Sequence, residues 1–208
     1  MLGLFDGAAR SANAAPFAAV ARYLDKRNVS ANTVTAFAVL TGLAAAGAAG
    51  YARWWLALLL WLFSRLLDGL DGPLARLRGA TDFGWFADTI GDLTVFGAFA
   101  FGVAVALPDA RLAATALILG YYLESVAIGG FTIVSGRMPD DDVRTHSSIP
   151  RRNVWEGTDT IAGCGLIALF PGVAAWIMWA LAFLLTATAV QYALYVRSSL
   201  SQPSTTAA

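Results

Sequence analysis

Within 25 residues of this 208-residue chain, four aspartates stand in two close pairs, Asp68 with Asp71 and Asp88 with Asp92. Acids of this kind bind hard divalent cations or move protons, and their spacing decides whether they can act together. On a helix turning about 100° per residue, Asp68 and Asp71 lie roughly 60° apart and Asp88 and Asp92 roughly 40° apart. Each pair therefore shares a helix face. The connection between the pairs is short enough to fold one back against the other, bringing four carboxylates to neighbouring helix ends. Four clustered anions repel one another and need compensation. Mg²⁺ or Mn²⁺, which prefer carboxylate and phosphate oxygens, would supply it and could then hold a diphosphate. The ordinary alternative is a set of helix-end carboxylates that are solvated or paired with Arg65, Arg76 and Arg78. Acids within membrane segments more often mark a functional site.

The residues around the acids fit a phosphate ligand. Gly72 and Ala75 permit close approach of backbone and ligand, and the Arg76 guanidinium suits bidentate contact with a phosphate oxygen. The stretch Asp68-Gly69-Leu70-Asp71-Gly72-Pro73-Leu74-Ala75-Arg76 is separated by seven residues from Gly84-Trp85-Phe86-Ala87-Asp88-Thr89-Ile90-Gly91-Asp92. This arrangement resembles the signature of the CDP-alcohol phosphotransferase family, DxxDGxxAR followed by GxxxDxxxD. Every defining position is matched.

The resemblance implies that Asp68, Asp71, Asp88 and Asp92 bind two Mg²⁺ or Mn²⁺ ions and that Asp92 is also the general base. It places Gly72, Ala75, Arg76, Thr81 and Gly84 where the family contacts the CDP group. Asn32, Thr33 and Thr35 resemble the family's polar entry to its first helix, although polar caps are common at helix starts. The implied reaction is direct displacement: a hydroxyl deprotonated by Asp92 attacks the β-phosphorus of a CDP-activated donor, and CMP leaves. The leading expectation is CDP-diacylglycerol as lipid donor with a small polar alcohol as acceptor. The reverse arrangement, a CDP-linked polar group moved onto a lipid alcohol, is the alternative. The resemblance also implies a homodimer.

The elements that must position these residues are hydrophobic. The sequence is 58% hydrophobic and only 13% charged, far from the usual soluble balance, so it reads as an all-α integral membrane protein. A spanning helix needs about 20 apolar residues. Six segments qualify, at 31–50, 52–70, 84–106, 111–134, 155–170 and 172–196. Residues 1–30 form the expected cytoplasmic amphipathic segment, in which Phe17, Val20, Ala21 and Leu24 suit a helix on the membrane surface. A six-helix catalytic domain over 31–197 follows, and 198–208 reads as a disordered tail.

Basic residues set the orientation, because positively charged loops stay cytoplasmic. Arg10, Arg22, Lys26, Arg27, Arg76, Arg78, Arg137, Arg144, Arg151, Arg152 and Arg197 fall on one face, and only Arg53 and Arg111 fall on the other. Both termini and the acids are thus expected on the cytoplasmic side of a bacterial-type inner membrane. Trp54, Trp55 and Trp176 lie near the outer helix ends. Equal numbers of acidic and basic residues, 14 each, argue against a general nucleic-acid binder, which needs a basic excess. The lone Cys164 excludes an intrachain disulfide and a cysteine metal cluster.

Other polar residues admit two readings. Glu124, beside Tyr121, Tyr122 and Ser125, either lines an acceptor pocket or joins helices through a hydrogen bond. Glu156 and Asp159, with Asn153, either hold the acceptor or serve a helix N-terminus, where acids are favoured. Arg144, Arg151 and Arg152 either recognise an anionic group or contact lipid headgroups. Asp140, Asp141 and Asp142 read as a solvated turn. His146, the single histidine, lacks partners for a zinc site. A transporter or cation carrier, with Glu124 and the aspartates as its pathway, is the non-enzyme alternative, and an intramembrane prenyltransferase is a further enzymatic one.

Overall fold

The computed structural model describes residues 16–135 and 157–200. Those residues form an all-helical bundle: α1 (16–26), α2 (Ala31–Gly50), α3 (Trp54–Arg78), α4 (Asp82–Ala106), α5 (Arg111–Ser135), α6 (Gly157–Leu169) and α7 (Ala174–Leu200). Short 3₁₀ turns at Pro108–Ala110 and Pro171–Val173 introduce α5 and α7. The helix boundaries follow local chemistry. Ser30 caps α2, its hydroxyl accepting from the Thr33 amide at 3.1 Å. Thr81 caps α4 in the same way, accepting from Gly84 N at 3.0 Å. Such caps satisfy amides that have no partner within the helix. Gly79 turns the chain between α3 and α4 with a φ of +89°, a conformation that disfavours any side chain.

Several boundaries differ from the sequence expectation. Helix α3 continues to Arg78, past the expected end at residue 70 and through Pro73. Proline removes one helical hydrogen bond, but Leu70 and Leu74 are buried with Ala21 and Val34 in a small apolar cluster that favours continuation. The phosphate-binding stretch is therefore helical throughout. Helix α4 begins two residues earlier than expected, where its Thr81 cap dictates. Helix α7 runs to Leu200, so the first residues of the expected tail are helical.

Helix α2 packs closely against both α3 and α4, α5 packs along α7, and α6 touches α3 and α7. The main core lies between them, with Trp61, Phe99, Leu117, Ile167, Met178 and Leu185 fully buried. Trp61 packs against Phe96 and Phe99 at ring separations of 5.3 and 4.8 Å, and its indole donates to the Ile161 carbonyl at 3.1 Å. Small residues bring α2 and α4 together, as they do in membrane bundles. A Cβ on Gly102 would overlap the Ala46 carbonyl, and one on Gly91 would lie 2.6 Å from the Val39 side chain.

Among the described residues, four stretches are long and apolar enough to cross a membrane: Ala31–Gly50, Asp82–Ala106, Pro108–Phe131 and Pro171–Arg197. They identify an integral membrane protein. Helix α3 has the length but carries Arg65, Asp68, Asp71, Arg76 and Arg78, and the described α6 has 13 residues. The 16–26 helix is docked: Ala21 is fully buried, Phe17 and Leu24 are partly buried, and Val20 stays exposed.

The packing of α2 on α4 yields a prediction. Gly102→Ala should destabilise the protein by about 1–3 kcal/mol through overpacking against backbone that cannot move aside. Gly47→Ala, where nothing lies within 4 Å of the added methyl, should leave the thermal midpoint in detergent unchanged or raise it.

Candidate active site

The acids project from two adjoining helices. Asp68 and Asp71 lie in the C-terminal half of α3, and Asp88 and Asp92 in the first half of α4. The three-residue connection at Gly79, Ala80 and Thr81 folds α4 back beside α3. One carboxylate oxygen from each of Asp68, Asp88 and Asp92 lies within 4.8 Å of the others, and all three residues are half-buried. An all-oxygen donor set of this kind fits a hard divalent cation such as Mg²⁺ or Mn²⁺.

Asp71 stands beside this group and is buried. Its Oδ2 accepts a hydrogen bond from the Thr35 hydroxyl at 2.6 Å. Thr35, also buried, thus fixes the orientation of a carboxylate. Its hydroxyl also lies 3.1 Å from the Ala31 carbonyl.

Arg65 enters the cluster from one turn below. Its Nη1 donates to Asp92 Oδ1 at 2.5 Å and lies 3.5 Å from Asp68 Oδ2. Nη2 donates to Ser64 Oγ at 3.1 Å, and Ser64 in turn donates to the Ala38 carbonyl at 2.7 Å. The guanidinium carbon sits 5.2 Å from the ring centres of both Trp61 and Phe96. The aspartates therefore cluster with one another and also pair with a buried arginine. Sequence reasoning raised Arg65 as a possible ion-pair partner and as a basic residue near a helix end. The signal that would have promoted it is an arginine inside an apolar run, three residues before Asp68 on the same helix face.

The remaining expected contacts surround the acids. Arg76 is exposed, and its Nη1 lies over Gly72, 3.6 Å from where a Cβ would stand. Ala75 is half-buried beside it. At the start of α4, a Cβ on Gly84 would lie 3.1 Å from Thr81 Oγ1 and 3.4 Å from Asn32 Oδ1. The first turns of α2 and α4 therefore meet. Thr33 is exposed and shares a 2.8 Å hydrogen bond with Ser30. Arg78 departs from the cluster: its Nε donates to Asp25 Oδ1 at 2.6 Å, tying α1 to the end of α3.

Glu124 is half-buried on α5 next to Ser125, whose hydroxyl donates to the Tyr121 carbonyl. Asp159 falls in the first turn of α6. Arg137, Asp140, Asp141, Asp142, Arg144, His146, Arg151, Arg152, Asn153 and Glu156 lie outside the described residues.

A model of the CDP-alcohol phosphatidyltransferase family matches residues 28–190, covering all of these acids. The chain belongs to the CDP-alcohol phosphatidyltransferase family. It is an enzyme of that type. Inner membrane protein YnjF of Escherichia coli (strain K12) is 31% identical over 153 residues, spanning 72% of this chain and 74% of that relative. The fold is shared with Mycobacterium tuberculosis phosphatidylinositol phosphate synthase (PgsA1). Its structure in complex with manganese and citrate is 21% identical, with a TM-score of 0.68 over 88% of this chain and 89% of that one. Its structure with CDP-DAG bound is 22% identical, with a TM-score of 0.67 over 86% and 92%.

Within this family site, the Thr35–Asp71 bond is open to a direct check. Thr35→Val keeps the shape but removes the donor, and should cost about 1.5–3 kcal/mol, as expected for a hydrogen bond to a charged group. Thr35→Ser should retain most of the stability. Thermal or denaturant unfolding in detergent measures both.

Proposed function

We propose that this protein transfers a phosphatidyl group from CDP-diacylglycerol to a small polar alcohol, releasing CMP, as a metal-dependent enzyme of phospholipid synthesis. The observation that carries this reading is the gathering of Asp68, Asp88 and Asp92, with Asp71 held beside them, next to the paired first turns of α2 and α4. Helix N-termini favour anions because their free amides and dipoles face the ligand. Asn32, Thr33, Thr35, Gly72, Ala75, Arg76, Thr81 and Gly84 are the proposed nucleotide contacts. Gly72 and Gly84 leave space there, and Arg76 has a free guanidinium fork for a phosphate. PgsA1 binds manganese in one structure and CDP-DAG in another, which supports the same pairing of metal with a CDP-lipid.

Asp68, Asp71, Asp88 and Asp92 would hold two Mg²⁺ or Mn²⁺ ions. Such ions, when bound, neutralise charge on the phosphoryl oxygens. Asp92 accepts the proton of the attacking hydroxyl through its second oxygen, since Oδ1 is engaged by Arg65. The attacking oxygen forms the new bond to the β-phosphorus as the bond to CMP breaks, with no covalent enzyme intermediate. Positioning of the nucleophile and compensation of charge are the main demands of such a transfer.

In this reading α3 and α6 also span the membrane, giving six spans over 31–197. At 1.5 Å per residue the 25 residues of α3 extend about 37 Å, enough to cross a hydrocarbon core of about 30 Å. Helix α1 rests at the interface, with Phe17, Ala21 and Leu24 turned inward and Arg22, Lys26 and Arg27 exposed. The acid end and both termini face the cytoplasm of a bacterial inner membrane, as the basic residues favour. Trp55 and Trp176, exposed at the starts of α3 and α7, anchor the opposite interface. The enzyme works as a homodimer.

The test is CMP release from CDP-diacylglycerol by purified protein with Mg²⁺ or Mn²⁺ and a panel of small alcohols. Asp92→Asn should lower turnover by about 10²–10⁴-fold, the usual contribution of a general base, while the protein remains folded. Full activity of Asp92→Asn, or no CMP from any CDP donor, would overturn the proposal.

A further inference from the structure

Arg65 is the one group in the acid cluster that the proposed chemistry does not use. Its side chain is only 5% exposed, inside a bundle whose buried residues are mostly apolar. Burial of an isolated charge is very costly, so a buried arginine must be compensated or must itself compensate something. Its contacts are directional. Nη1 faces Asp92 and Asp68, Nη2 is held by Ser64, and the rings of Trp61 and Phe96 both contact the guanidinium. Its Nε is buried without a hydrogen-bond partner. A packing role alone would not favour a group that leaves a donor unsatisfied, whereas a demand for positive charge beside the carboxylates would.

We propose that Arg65 is a resident counter-cation of the carboxylate cluster, positioning Asp92 and keeping Asp68, Asp88 and Asp92 assembled before any divalent ion arrives. The cluster brings several acids together in a region of low polarity, where their repulsion is strong. A fixed guanidinium offsets part of that repulsion. It also takes one oxygen of Asp92 and leaves the other for the reaction. Arg65 is thus a positioning residue acting through Asp92. Its bond to Ser64 and its contacts with the two rings do not involve Asp68 or Asp92. Lysine would preserve the charge and lose the planar stacking, so the charge and the shape of this residue are separable.

The inference rests on the assignment of Asp68, Asp88 and Asp92 as metal ligands, and stability measurements separate its failure from the failure of that assignment. Thermal midpoints of full-length protein in detergent would be measured after chelation and again with saturating Mn²⁺. Arg65→Met should lower the metal-free midpoint by about 5 °C or more, on the scale of a few kcal/mol in a domain of this size. Mn²⁺ should restore at least half of that loss by supplying the missing positive charge. The double variant Arg65→Met with Asp92→Asn, which removes one anion along with the cation, should recover metal-free stability. Arg65→Lys should stay within a few degrees of wild type.

A loss in Arg65→Met that neither Mn²⁺ nor Asp92→Asn reduces would overturn the proposal and leave Arg65 as packing. A metal-free midpoint equal to wild type would do the same. If Arg65→Met does not accumulate as folded protein, the double variant decides: folding supports charge balance, and failure to fold overturns it. If Mn²⁺ shifts no variant while Asp92→Asn still rescues Arg65→Met, the metal assignment fails and the charge balance stands.

Discussion

Carboxylates placed on helices that face hydrocarbon have to be compensated from within the chain, because water and mobile counter-ions are scarce there. The contact of Arg65 with Asp92 and Asp68 meets that constraint, and much of the surrounding structure follows from it. Ser64 holds the guanidinium from α3 and is itself anchored to the Ala38 carbonyl of α2. Trp61 and Phe96, which both contact the guanidinium, are also members of the main core. The polar site and the apolar core thus share side chains, so the acids are held by the same packing that holds the bundle together.

Close approach of the helices converts this local arrangement into a composite site. Glycines and alanines let the backbone of α2 meet that of α4 at Ala46 and Gly102. At the other end of the same interface, Asn32 meets Gly84 and Thr81. Two helix N-termini therefore open toward the end of α3, where Asp71 is fixed from α2 by Thr35. The ion pair of Arg78 with Asp25 closes the arrangement by holding α1 against α3. An exposed pair of this type contributes little stability alone. The burial of Ala21, Leu70 and Leu74 provides the larger share of that docking.

Much of this was legible in the sequence, since the acids keep helical spacing and the small residues and arginine stand in register with them. The start of α2 at Ala31 matches the expectation, whereas α4 starts two residues early because Thr81 acts as its cap. The continuation of α3 through Pro73 was not, because a local rule about proline was outweighed by the burial of Leu70 and Leu74, partners supplied from α1 and α2. Thr35 read as a cap residue or ligand contact. Its bond to Asp71, 36 positions away, depends on how α2 lies against α3. The 16–26 helix showed its apolar face, but periodicity does not say whether such a face meets lipid or protein. Here Ala21 and Leu24 meet protein.

The helix that carries the first two acids also shows why composition and function pull apart in a membrane enzyme. Tests for spanning helices reward apolar residues, and α3 fails them because it holds Arg65, Asp68 and Asp71 in the same stretch. Its buried charges meet partners from α2 and α4: Asp71 accepts from Thr35, and Arg65 donates to Asp92. Helix α5, with Leu112, Leu119 and Val126 exposed, carries a single acid, Glu124, within its apolar run. The 25 residues of α3 have the length that a span requires, and Arg65 and Asp71 find partners inside the bundle, so the proposed crossing rests on length and pairing rather than on hydropathy.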